Sequence, residues 1–138
     1  MKNILDEIKN IFEENGIKYF SGNESNKNIF NLPYRGIENE KNHVNIYMDV
    51  DEFQEIIKFM FIEKANKTNK SVEEIKSNLL DINSSLNFGS LSMRSDSDTI
   101  EYKVDYQLNG ESFSFQQYNK FIVRCINVYE LLKKDELI

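Results

Sequence analysis

The sequence predicts an α+β domain, an antiparallel sheet of about five strands packed with three helices in the order α-β-β-β-α-β-β-α. Two kinds of periodicity point to it. Apolar residues recur at steps of three and four in three separate stretches, which gives each a helical face. Between those stretches, apolar and polar residues alternate with period two, as they do along half-buried strands. The third observation is punctuation: Asn15-Gly16, Phe88-Gly89 and Asn109-Gly110 fall where one pattern stops and another starts. No repeat, linker or low-complexity tail divides the 138 residues, so residues 1–138 are expected to form a single domain.

Ile4, Leu5, Ile8, Ile11 and Phe12 share a helical face that Asn15-Gly16 ends. Ile17 to Phe20 reads as extended, and Ser21 to Asn28 as a polar loop. Phe30, Leu32 and Tyr34 alternate as a strand. Pro33 points the other way and has no N–H to donate, so this strand is expected at an edge or with a bulge. Glu38 to Asn42 is a charged turn. Val44, Ile46, Met48 and Val50 then alternate with Asn45, Tyr47, Asp49 and Asp51. Phe53 to Ile62 fits two templates. As a helix it groups Phe53, Ile56, Ile57, Met60 and Phe61; as a strand it sets Ile57, Phe59 and Phe61 against Ile56, Met60 and Ile62. Its shortness and its aromatic and β-branched content favour the strand.

Ser71 and Glu74 form a capping box ahead of Val72, Ile75, Leu79, Ile82 and Leu86, with Phe88-Gly89 as the expected stop. Leu91 and Met93 open a hairpin with Ile100, Tyr102, Val104, Tyr106 and Leu108. Keeping both apolar sets on one face requires an even loop or a compensating bulge. The expected register sets Met93 opposite Tyr102 and Leu91 opposite Val104, with the loop centred on Ser97-Asp98. Ser114 and Gln117 cap a last helix whose stripe is Phe115, Tyr118, Phe121, Ile122, Cys125, Ile126, Tyr129 and Leu132.

A net charge of -6 and a pI near 4.9, with no basic stripe, argue against a phosphate-backbone partner, and no nucleic-acid role is expected. The single cysteine, Cys125, excludes an internal disulfide and reads as a buried, inert thiol. Met1 leads directly into charged, amphipathic sequence, and no apolar run approaches a membrane span. A cytoplasmic protein with no membrane partner is expected.

This order of elements resembles the type III secretion chaperone-like fold and the related YbjN family of bacterial proteins, often called sensory-transduction regulators. The likeness is strongest between Val72 and Leu132. There the middle helix closes on Leu80-Asp81-Ile82-Asn83-Ser84-Ser85-Leu86-Asn87-Phe88-Gly89, and a hairpin, a polar turn and an aromatic-rich helix follow. The resemblance implies a non-enzymatic α+β protein, often dimeric, that binds another protein or an unfolded segment of one. It carries no functional motif over to numbered residues.

No residue set reads as catalytic, cofactor-binding or metal-binding. His43 is the lone histidine and lacks an identifiable nucleophile or orienting partner, so a surface turn residue is the simpler reading. Asp49 with Asp51, and Asp96 with Asp98, offer fewer oxygens than a calcium site needs. The five glycines are isolated and form no phosphate loop. Tyr102, Tyr106, Phe113 and Phe115 suggest an aromatic platform, but without a basic groove core packing accounts for them better.

The run from Ile56 to Ile62 is apolar on both parities, whereas the strand from Ile100 to Leu108 keeps one parity polar. Something must cover its second face, and Ile56, Phe59, Met60 and Ile62 are the expected partner or dimer interface. The function expected is a protein-binding module, chaperone-like or regulatory, that buries apolar segments of a partner or pairs with a second copy as a homodimer. The alternative is a small-molecule sensor with an apolar pocket between sheet and helices. An enzyme ranks third, and no cofactor is expected.

Overall fold

Caps decide where the helices begin. In a computed structural model that describes residues 3–22, 28–94 and 96–138, the Asn3 side chain accepts from the Asp6 N–H and opens α1 (Ile4–Glu14). Both predicted capping boxes form. Ser71 with Glu74 opens α2 (Val72–Ser85), and Ser114 with Gln117 opens α3 (Phe115–Lys134). Each box satisfies two otherwise free backbone donors. α2 ends at Ser85, ahead of the expected Phe88-Gly89 stop. Gly89 instead immediately precedes the next strand, at φ +77°, where an added Cβ would stand 2.6 Å from the Lys103 carbonyl oxygen. The glycine therefore permits a close strand approach rather than a helix end.

The strands are β1 (Phe20–Ser21), β2 (Ile29–Arg35), β3 (His43–Asp51), β4 (Ile56–Lys64), β5 (Ser90–Arg94) and β6 (Thr99–Gln107). They form one sheet in the order β1-β2-β3-β4-β6-β5, with every neighbouring pair antiparallel. The α+β class and three helices agree with expectation. The sixth strand is the two-residue β1, too short to leave a periodic signal. Residues 56–64 form a strand, as their composition favoured. The preceding Phe53 belongs to the turn and is 90% exposed.

Register sorts the sheet into two faces. Phe30, Met48, Phe59 and Val104 lie in one row across four strands, and Phe61, Tyr102 and Leu91 in another. This face is the core side. Phe12 of α1 meets Phe30 edge-on at 5.4 Å, while Tyr118, Phe121 and Tyr129 of α3 meet Phe59 and Phe61. α2 lies along β5, with Ile75 and Leu79 buried.

The β5–β6 hairpin keeps the predicted face and an even loop but not the predicted register. Leu91 pairs with Tyr102 and Met93 with Ile100, two residues away from expectation. A slip of two preserves which side chains are buried, so burial pattern alone cannot choose between the two pairings.

Candidate protein-binding face

Successive side chains of a strand point to opposite faces, so β4 splits its apolar run. Ile57, Phe59 and Phe61 are fully buried on the core side. Ile56, Lys58, Met60, Ile62 and Lys64 line the other side, where no helix packs among the described residues. There Ile56 and Met60 are half-buried and Ile62 is 38% exposed. The expected interface set is therefore divided. Ile56, Met60 and Ile62 share the open face, but Phe59 stacks against Phe121 and belongs to the core.

The open face can be read row by row. Phe20, Asn31, Tyr47, Met60, Lys103 and Ser90 cross its middle. Toward the β3–β4 turn, Asp49, Lys58 and Asp105 form an acidic row, with Asp51 opposite Ile56 beyond it. Toward the other end, Arg35 pairs with His43, and Lys64, Thr99 and Arg94 form a basic row. One carboxylate sits between: Glu101, 3% exposed, holds Arg94 at 2.9 Å and Lys103 at 3.0 Å. The two cations cover it, and their partly exposed positive charge leaves this end of the face basic. Sequence reasoning missed Glu101, because its place in the alternation marks it as solvated.

Other candidates resolve into structural roles. His43 is exposed at the start of β3. Asp51 accepts from the Gln54 N–H at 2.9 Å and shapes the β3–β4 turn. Asp98 pairs with Lys67. Among the described residues no three His, Cys, Asp or Glu side chains stand close enough to hold a metal ion. Tyr102 and Phe113 are buried, Tyr106 is half-buried and hydrogen-bonded to Gln117, and Phe115 stacks on Tyr118, so the four form no free platform. Burial pushes the Cys125 thiol up to about 12, the inert state expected of it. Between sheet and helices, Phe12, Phe30, Phe59, Phe61, Tyr102 and Tyr118 fill the interior.

No family model matches this sequence, and no curated protein does. Solved structures do. The crystal structure of YbjN from E. coli superposes with a TM-score of 0.67 over 96% of this chain and 93% of that one, at 16% identity. A chain of the HopA1-SchA chaperone-effector complex superposes with a TM-score of 0.59 over 91% of this chain and 88% of that one, at 8% identity. The fold is thus the one that YbjN shares with a chain of a chaperone-effector complex, as the order of elements suggested.

Proposed function

We propose that this chain is a non-enzymatic, cytoplasmic protein-binding module, chaperone-like or regulatory, that takes its partner on the open face of the sheet along β4. One observation carries the reading: Ile56, Met60 and Ile62 line up on a face that the chain's own helices leave uncovered. The mechanism is burial of a partner's apolar side chains against that line, with the charged rows fixing orientation. The fold's likeness to a chain of a chaperone-effector complex supports it.

A second copy is the partner this face fits best. A two-fold axis across the strands at Met60 brings the acidic row of one copy toward the basic row of the other. Strand spacing of about 4.8 Å and a rise of about 3.4 Å per residue give the face on the order of 650 Å². A stable complex buries about 800 Å² per partner, so rim contacts from Phe20 and Phe53 would complete it.

Sedimentation equilibrium of the wild type and the Met60→Asp, Ile62→Asp double variant tests this. The wild type is expected to dimerise more weakly as salt rises, and the variant to stay monomeric while keeping its native circular-dichroism spectrum. A monomeric wild type at about 100 μM removes the homodimer. Affinity capture that returns the same proteins with wild type and variant removes the face itself.

A further inference from the structure

A sheet with two edges offers two rows of backbone groups to any extended chain. On β5 the Leu91 groups face outward, and Asn83 of α2 reaches them. Its Nδ2 donates to the Leu91 carbonyl at 2.8 Å, and its Oδ1 accepts from the Leu91 N–H at 2.7 Å. One donor and one acceptor offered to a single residue reproduce the bond pair that an antiparallel strand would supply there. By the alternation of the ladder, Met93 is the next outward-facing position.

The opposite edge is closed by other means. The Gly22 N–H donates to the Ile29 carbonyl, whereas the Val50 N–H donates to that of Asn28. Odd-numbered residues of β2 therefore turn their backbone groups outward and even-numbered ones toward β3. Pro33 is odd, so its missing donor lies on the outer edge, beyond the two residues that β1 covers.

We propose that Asn83 and Pro33 close the two sheet edges against strand addition, Asn83 by standing in for a strand residue and Pro33 by withholding a donor. Partners are thereby restricted to side-chain recognition. This inference rests on the edges alone and is independent of which face binds.

The test compares wild type with Asn83→Ala, Asn83→Ala/Met93→Pro and Pro33→Val by sedimentation velocity over a hundredfold concentration range, with amide exchange at Leu91. Asn83→Ala is expected to self-associate at least tenfold more tightly than wild type and to protect the Leu91 amide in the associated form. Adding Met93→Pro, which removes the next outward donor, should reverse the association. A contact that merely fastens α2 to the sheet predicts otherwise: lost stability with wild-type mass, or association that Met93→Pro leaves intact. Either result overturns the Asn83 role. If Asn83→Ala does not fold, Asn83→Asp, which keeps only the acceptor, takes its place. Pro33→Val at wild-type mass overturns the other half.

Discussion

Phe59 of β4 and Phe121 of α3 lie ring on ring, with centroids 5.0 Å apart and planes 8° from parallel. Three residues along the same strand, Ile62 stands on the opposite face beside Glu101. One short segment thus supplies both the middle of the core and part of a free surface. Its uniformly apolar composition hides that division until the sheet is assembled.

The two parities should respond differently to truncation. Phe59→Ala removes a fully buried ring from between the sheet and α3 and should cost about 3–5 kcal/mol. Ile62→Ala should cost less than about 1 kcal/mol in the isolated chain. Urea unfolding at equal, low protein concentration measures both. Similar losses would mean that both faces of β4 are covered.

Glu130 makes a second test. Its carboxylate, buried at the end of α3, accepts from the N–H groups of Ile37 and Glu38, each at 2.8 Å, and Asn39 at 3.1 Å. Charge-assisted bonds of this kind fasten the β2–β3 turn to the last helix. Glu130→Ala strands three donors and should cost about 3 kcal/mol, with faster amide exchange at residues 37–39. Glu130→Gln keeps one acceptor oxygen and should lose less. Unchanged exchange in the alanine variant would show that the turn holds itself.

Alkaline pH should expose Cys125. Burial raises its folded-state value from 9.0 to about 12, so between those limits the unfolded chain releases a proton that the folded chain keeps. Stability then falls as pH rises, by about 1.4 kcal/mol per pH unit at the steepest. It is fully retained below pH 9. Tyr102, also raised to about 12, acts in the same direction. Cys125→Ala should flatten the decline above pH 9 in chemical denaturation, whatever its effect at pH 7. An unaltered slope would place the thiol in contact with solvent.

Helices and core strands were legible because burial writes a period into the chain. Ser71, Glu74, Ser114 and Gln117 also announced their helix starts, since a cap is a local contract between residues three apart. What sequence left open depends on distant partners. The hairpin register slid by two because Met93 is equally apolar opposite Ile100 or Tyr102. Composition does not say which parity of β4 α3 covers, so the sequence groups Phe59 with Ile56, Met60 and Ile62 while the fold sets it against Phe121. Glu101 falls on the polar parity of its strand and Glu130 off the apolar stripe of α3, and neither position signals the burial that Arg94 and Lys103 in the first case, and the β2–β3 turn in the second, bring about. Pro33 requires an open edge whatever its neighbours are, and it meets one beyond the two residues that β1 pairs, although β2 as a whole is flanked by β1 and β3. Asn83 lies in the stretch that carries the resemblance, but its edge bonds left no local signal because they join α2 to β5.

The strand order β4-β6-β5 has a kinetic corollary. Strands β2, β3 and β4 can close in sequence over short turns, and β5 with β6 over its own turn, so each half can zip up locally. The seam between β4 and β6 instead waits until residues 65–98 have doubled back, α2 included. Among the strand pairings, closing that long segment carries the largest entropic penalty. Pairing of β4 with β6 is therefore the strand-joining step expected to be slowest in refolding, and until it occurs the hydrogen-bonding edge of β4 lies bare to any neighbouring chain.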